Sequence, residues 1–587
     1  MRDVIVIGAG GGGVVIAKEL AGRGLDVLVL EAGPDHRDSE RDFTHFEIDQ
    51  NSAFNGVFRF GPGDRTKQAW ARDLPQNSII AQVAGVGGTT LHYFANSPRA
   101  MPGVFEEFHG DNPDAYDREH LFPFSYQELV PYYEWVEATL PVETAAMGTK
   151  EEVFLRAAER IGLPHQTHKD ITRDAFRPQE NAILQPQGLA GRTADPNLLR
   201  FPLSRGCTFC GHCLEGCIEP LRAPRNLKAK RSVDNSYMPM ALTAHRWARH
   251  GKAITLMPNA FAVQIHMDGG TARAVTWRDT VTGALSTEDA TVIVLSAGAI
   301  ESPRLWLNSA LPNPNDWVGR GLTDHYLDVV VGLLPFDAGC SRGPSSAARA
   351  DFPGRGSLEQ NGTMPGAAAQ FGGLTDSGII GLYDNGAPVG SAGADAVGRR
   401  AGKALKQFIE AIDNRIAVVV FTDDSVDARN RVLLSSSLPS DEHGPVARVE
   451  ASGRGRAART LANREFLTGK AVQMLRAVGA RSITRINLAP LYLHMQSSLR
   501  MGRHADNAVL DENAEARWVK RLFVADGSAL ANALGGPNPT LTIQAVATRT
   551  AEKIFHRYFG GDPWVQSEAP VQSTSPIISV ALRSLGR

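Results

Sequence analysis

Long hydrophobic runs are missing from this chain of 587 residues. Nowhere does the sequence approach the ~18 consecutive apolar residues of a membrane-spanning helix. Charge of one sign is missing too: Lys and Arg number 61 against 63 Asp and Glu, a net charge of -2. That balance leaves no basic footprint for a phosphate backbone, so no nucleic-acid partner is expected. Cysteine is scarce, 5 in all, too few for a secreted scaffold built on disulfides. The first residues, MRDVIVIGAG, enter a strand at once and leave no room for a secretory leader. The expected compartment is the cytoplasm, unless a partner subunit carries the chain elsewhere. There is no internal repeat and no long low-complexity tract.

What is abundant is glycine, 58 residues, above the usual ~7%. The first concentration follows the apolar run DVIVI (3–7), which has the composition of a buried parallel strand. Directly after it stand Gly8, Gly10 and Gly13 within GAGGGG, then VVIAKELAGRG with helical apolar spacing, then LDVLVLE ending in Glu31. This order is the βαβ dinucleotide fingerprint in its full context. The first glycine permits the turn and the second lets backbone approach a pyrophosphate. The third allows close helix–strand packing, with the helix N-terminus facing the phosphates. Glu31 stands where a carboxylate accepts hydrogen bonds from the adenosine ribose.

Four further segments follow in order. GVGGTTLHYFANSPR (85–99) is a second glycine cluster with Gly87, Gly88 and His92. TVIVLSAGAIESPRLWLNS (291–309) reads as a strand, a turn and a helix, and VGRGLTDH (318–325) comes next. LFVADGSALANALGGPNPTLTIQAVATRTAEKI (522–554) is a strand, a turn at Asp526 and Gly527, a Gly/Pro-rich loop and a helix. With FPFSYQELVPYYEWVE (122–137), this succession resembles the glucose–methanol–choline (GMC) oxidoreductase family from residue 3 to about 555. The resemblance implies an α/β fold: a doubly wound, Rossmann-like FAD domain plus an α+β substrate domain on a mostly antiparallel sheet. The expected division is 1–105, 225–335 and 500–565 for the FAD domain and 106–224 for a helical insertion with the cysteines. Residues 336–499 form the substrate domain and 566–587 a flexible tail.

The resemblance also implies a catalytic pair. The family's H-x-x-G-[TS]-x-x-M-G segment corresponds to His494 through Met501 and Gly502, with Ser497 in place of the inner glycine. The second active-site residue, His or Asn in the family, corresponds to Asn538 of GGPNPT. Alcohol oxidation needs a base for the hydroxyl proton as hydride leaves the same carbon, and imidazole suits that task. A neighbouring amide stabilises the developing alkoxide. For His92 two readings stand: covalent attachment to the flavin, or an unlinked ring packed beside it.

Four of the five cysteines fall between 207 and 217. The spacing of Cys207, Cys210, Cys213 and Cys217 matches the bacterial ferredoxin run apart from its proline. It predicts an iron–sulfur cluster, of 4Fe-4S type by spacing, against a structural role for the thiols. Zinc fits less well, since it usually takes two separated pairs. A cluster passes flavin electrons singly to an acceptor protein or quinone, with a small accessory subunit as a further partner. The expected protein is thus an FAD-dependent dehydrogenase of an alcohol, with a lean to a sugar or glycoside-type secondary alcohol. The alternative is an O2-using oxidase of a fatty, aromatic or sterol alcohol with structural cysteines.

Overall fold

In the first strand hydrophobic alternation fails, and the structure shows why. Val4, Ile5 and Val6 have no exposed surface, because the strand is covered on both faces; each such burial contributes roughly 1.5–3 kcal/mol. The computed structural model describes residues 1–35, 79–80, 82–186, 206–214, 228–362, 390–396, 400–437, 440–451, 457–486 and 491–584.

The elements that place the site are, in chain order, β1 (Arg2–Ile7), α1 (Gly13–Gly22), β2 (Val27–Leu30), α2 (Tyr126–Thr139) and β3 (Ala175–Pro178). Then come β4 (Thr255–Met257), β5 (Ala260–Asp268), β6 (Thr271–Asp279), β7 (Leu285–Leu295) and α3 (Gly298–Asn308). The second half supplies β8 (Asp328–Leu333), β9 (Ala348–Phe352), β10 (Gly356–Asn361), α4 (Gly402–Glu410) and β11 (Arg415–Thr422). It ends with α5 (Ala458–Ala477), β12 (Ser482–Ile486), β13 (Leu522–Val524) and α6 (Thr540–Phe559).

Two large sheets result. The first has the order β5-β6-β7-β1-β2-β4, with β13 also on β7. Its central pairs, β1 with β7, β1 with β2, β2 with β4 and β7 with β13, are parallel. The long β7 does double duty. Ala290–Leu295 runs parallel beside β1, while residues 285–289 continue outward and pair antiparallel with β6. The second sheet, β12-β8-β11-β10-β9-β3, is antiparallel at every pairing. Its outermost strand, β3, comes from the region expected to be a helical insertion. The doubly wound domain and the antiparallel sheet are therefore both present. The core follows the same division: one large cluster around β1, β7, α1 and α6, and a second under α5 and the even-numbered residues of β11.

The expectation of a flexible tail is corrected. Within 566–584 the chain forms a helix, Pro576–Ser584. Ile578 and Leu582, four apart and so on one helical face, bury against Met240 beside Trp247. Ser567, Pro570, Ser573 and Ser575, which suggested looseness, lie ahead of this short amphipathic stretch.

Candidate active site

The carboxyl ends of β1, β2, β7 and β13 open into one cavity of about 420 Å³, the position at which open parallel sheets take ligands. Its floor is backbone. Gly8 has φ +105, and a Cβ there would stand 2.2 Å from the Ser296 carbonyl oxygen. At Gly12 a Cβ would stand 1.6 Å from the Ala525 oxygen, so α1 packs onto the β13 segment only because the side chain is absent. At Gly13, expected to perform that task, a Cβ would stand 2.1 Å from the Gly8 oxygen of its own loop and 3.1 Å from the Ser296 side chain. Gly10 is the open one: a Cβ there would meet only Gly88 Cα at 3.9 Å. Gly87 and Gly88 belong to the second glycine cluster, which folds over the first, with the Gly87 N–H donating to the Ala9 carbonyl at 2.9 Å.

Glu31 lines the cavity at the end of β2, but much of its carboxylate is spent on the cradle. Ala9 N–H donates to it at 2.8 Å and Gly33 N–H at 2.9 Å. Burial pushes its pKa up to about 7 against those backbone donors. Asp526 behaves alike. It accepts from the Gly298 N–H at 2.9 Å and the Ser302 hydroxyl at 2.6 Å, tying α3 to the C-terminal turn, and burial raises its pKa. Gly527 and His92 line the cavity as well, His92 just beyond the short helical turn Gly88–Leu91.

His494 stands on the wall between the nucleotide end and the second sheet. Its segment is zipped to the 318–325 segment: Thr323 and Gln496 exchange backbone hydrogen bonds at 3.0 and 2.9 Å. The Asp324 carboxylate accepts the His494 N–H at 2.6 Å. This pairing brings His325 against His494, Nδ1 to Nδ1 at 2.9 Å, while His325 Nε2 lies 3.0 Å from the Ala533 carbonyl. Hydrogen-bond chemistry then fixes both rings. A carbonyl only accepts, so His325 Nε2 carries the hydrogen, and neutral His325 offers Nδ1 as an acceptor. His494 must therefore donate from Nδ1, which leaves Nε2 with a free lone pair. Phe421 stacks on the His494 ring, centroids 5.2 Å apart. Burial first, then the neighbouring His325, holds the His494 pKa well below 6.5. His325 lay in a quoted motif without being assigned a task; its partner became visible only once the two segments paired.

Asn538 reaches the same cavity from the loop ahead of α6. The loop docks on the second sheet where Gly536 meets Gly356: a Cβ on Gly536 would stand 2.6 Å from Gly356 Cα. The side-chain amide of Asn538 hydrogen-bonds Glu359 of β10, and its Oδ1 is buried with no partner among the described residues. Glu359 is itself held by Arg349 at 3.1 Å and by the Asn96 amide at 2.8 Å. Burial outweighs Arg349 and raises the Glu359 pKa to about 7. Sequence reading missed Glu359, which carries no motif.

Cys207 and Cys213 are buried and Cys210 half-buried. The loop is held from outside: Lys230 donates to the Cys213 carbonyl at 2.7 Å, and Gly211 lies so close to the Ser341 oxygen that a Cβ would approach to 2.1 Å. Cys217 lies outside the described residues. Among the described residues no group of three or more His, Cys, Asp or Glu is gathered to hold a metal ion, so a cluster is not shown.

For FAD the residues fit. The cradle leaves room at Gly10 where a ligand's phosphates would lie against bare backbone. The N-terminus of α6 opens at the cavity through Pro539 and Thr540. Gln82 Oε1 and Asn538 Oδ1, buried acceptors without a partner among the described residues, line the same space.

Two family models, both described as GMC oxidoreductase, match residues 202–327 and 427–547. The 2-methyl-1,2-propanediol dehydrogenase of Mycolicibacterium austroafricanum is 26% identical, with 98% of this chain and 99% of that protein covered. The fructose dehydrogenase large subunit of Gluconobacter japonicus is 24% identical, covering 94% of this chain and 98% of the relative. The crystal structure of pyridoxine 4-oxidase from Mesorbium loti shares the fold with a TM-score of 0.60 at 16% identity, over 95% of this chain and 100% of that one. No helix among the described residues is long and apolar enough to cross a membrane. With its nucleotide cradle, its antiparallel second sheet and these matches, the chain belongs to the GMC oxidoreductase family and is an FAD-dependent oxidoreductase acting on CH–OH groups.

Proposed function

We propose that the protein is a dehydrogenase that oxidises the alcohol group of a small molecule with His494 as its base. The observation that carries this reading is the unshared Nε2 lone pair of His494, set by the Ala533–His325–His494 chain on the wall of the cavity that holds the nucleotide cradle. Bound FAD supplies the two-electron hydride acceptor. His494 Nε2 takes the hydroxyl proton, and the resulting imidazolium keeps its Nδ1–H on His325. Glu359 holds one N–H of the Asn538 amide, leaving the second for the developing alkoxide. Gly8, Gly10, Gly13, Gly87, Gly88, Glu31, Asp526 and Gly527 shape the cradle, and His92 packs beside it.

Electrons leave to an external acceptor protein or quinone. The iron–sulfur relay expected from cysteine spacing is assigned no step, because no group of three metal-binding side chains is gathered among the described residues. Iron determination with the visible spectrum decides the matter: flavin bands alone leave the thiols a structural part, and iron stoichiometric with flavin restores the relay. A sugar substrate is supported by the name of the fructose dehydrogenase relative, a small diol by that of the propanediol dehydrogenase.

The test is anaerobic mixing of the FAD-loaded protein with an alcohol, following flavin bleaching. His494→Ala should keep its flavin and lose bleaching; bleaching at the wild-type rate in that variant sinks the assignment. Stoichiometric peroxide under air would replace the dehydrogenase with the oxidase.

A further inference from the structure

The second sheet turns one face toward the cavity, and register makes its cavity-lining residues on β8, β11 and β12 apolar short of Arg415, while β10 sets Glu359 and Asn361 opposite Val419 and Ala417. Antiparallel pairing sets Val329 opposite both Val419 and Ile486, and Val331 opposite Ala417. Residues directly opposite one another point to the same side of a sheet, and so do residues two apart. All of them line the cavity. The two faces of β11 differ sharply. Ile416, Val418 and Val420 are buried in the core under α5, whereas Ala417 and Val419 keep part of their surface open. Phe421, on the open side, is the ring stacked on His494. At the other end of the strand Arg415 lies over Phe408 of α4 at 4.2 Å. From Arg415 to Phe421 the strand runs roughly 20 Å at ~3.3 Å per residue. A corridor thus leads from the base along β11, and the residues of β8, β11 and β12 that line it are aliphatic until Arg415, with Asn361 of β10 beside Ala417.

A polyhydroxylated ring lying on Val329, Ala417, Val419 and Ile486 would strip water from its hydroxyls and recover no hydrogen bonds from those side chains, which costs more than it returns. A hydrocarbon arm meets no such penalty. We propose that this face is a subsite for an apolar arm of the substrate, so that the alcohol carries a hydrocarbon chain or ring system beyond its carbinol carbon. This rests on His494 as the base, which fixes where the hydroxyl end lies. Val329, Ala417, Val419 and Ile486 then set the specificity.

The test compares flavin reduction by straight-chain 1-alkanols from propanol to decanol with reduction by fructose and methyl glucoside. Unreactive alkylamides of matching length are titrated in parallel, reading the thermal midpoint. Reduction efficiency should rise about three- to fourfold per methylene until the corridor is filled, and the alkylamides should raise the midpoint in the same order. Sugars that outrun every alkanol, or a flat chain-length series, overturn the subsite and leave the base assignment standing. Alkylamides that bind by length while no alcohol bleaches the flavin uphold the subsite and overturn the base. Ala417→Phe should shift the preference to shorter chains. Because that residue sits in a central strand, the volume-matched Val329→Thr is the companion: it should flatten the chain-length slope, and an unchanged slope in both variants counts against the proposal.

Discussion

The nucleotide cradle and the corridor along β11 lie in one cavity and are made in opposite ways. The cradle is backbone: at Gly8 and Gly12 a single methyl group would collide with a carbonyl at 2.2 and 1.6 Å. The corridor is side chain: Val329, Val419 and Ile486 meet because three strands pair in a given register. A surface made of backbone dictates residue identity at fixed local positions. A surface made of side chains tolerates exchange of any residue of suitable size and polarity.

The largest effect that would break this contrast is a methyl group in the cradle. Gly12→Ala should abolish flavin binding and destabilise the fold by several kcal/mol, on the order of 3 or more, because the obstacle is backbone and cannot rotate away. Ala417→Val adds more bulk to the corridor, yet should retain full flavin content. Flavin-to-protein absorbance ratios check both. If Gly12→Ala keeps its flavin, the cradle is softer than its geometry implies.

Next in size is the catalytic wall that joins the two regions. His494→Ala should lower kcat by roughly 10²–10⁴, the usual worth of a positioned base, with flavin retained. His325→Phe removes the acceptor that fixes the tautomer and should cost about tenfold, below that range because the base itself remains. The pH profile separates the two roles. Only neutral His494 accepts a proton, and burial with His325 holds its pKa well below 6.5, so kcat/KM should stay flat as pH falls from 8 to 6.5. In His325→Phe the Nδ1 acceptor is lost while burial, the largest depressing cause, remains, so the acid limb should stay below 6.5. Stability has the same sign: below pH 6.5 the unfolded chain takes up a proton that native His494 does not, so this group's contribution falls as pH falls.

A smaller effect belongs to Glu359, which reaches the reacting region only through Asn538. Glu359→Gln keeps the shape but changes the partner of the amide, and should lower kcat a few-fold, roughly the worth of one charge-assisted hydrogen bond of ~1.5 kcal/mol set against its neutral replacement. KM should move less than kcat.

How much of this was legible in the sequence follows from the same contrast. The βαβ unit carrying Gly8, Gly10 and Glu31 was legible from local chain pattern, and His494 and Asn538, which line one cavity with it, were picked out by resemblance to a family motif. His325 stood in VGRGLTDH, but its bond to His494 exists only after Thr323 pairs with Gln496. Glu359 and the corridor residues were illegible, since register between distant strands places them and no local pattern encodes it. The cysteine spacing was read as a cluster from sequence distance alone. The described part of that loop is held by contacts to Lys230 and Ser341, which spacing does not contain. The C-terminal helix was hidden by the Ser/Pro stretch before it.

The smallest effect concerns Ser497, where a serine replaces the glycine of the family pattern. Its φ is +69, so the position does favour glycine, and a non-glycine residue there costs ~1–2 kcal/mol. Two terms oppose the change to glycine. The Ser497 hydroxyl lies 3.1 Å from that of Thr323, a hydrogen bond worth ~0.5–1.5 kcal/mol. Glycine also enlarges the unfolded ensemble by ~0.4–1 kcal/mol. The terms nearly cancel, so Ser497→Gly should shift stability by less than ~0.5 kcal/mol. The hydroxyl pair is tested by coupling: Thr323→Val should destabilise the native protein by ~1 kcal/mol and the Ser497→Gly background by clearly less, read as denaturant midpoints in a double-mutant cycle. Equal losses in both backgrounds would mean that the serine is held by something other than Thr323. A Ser497→Gly protein much more stable than the parent would mean that the strain at this turn goes uncompensated, and that backbone geometry alone should have placed a glycine there as it did at Gly8.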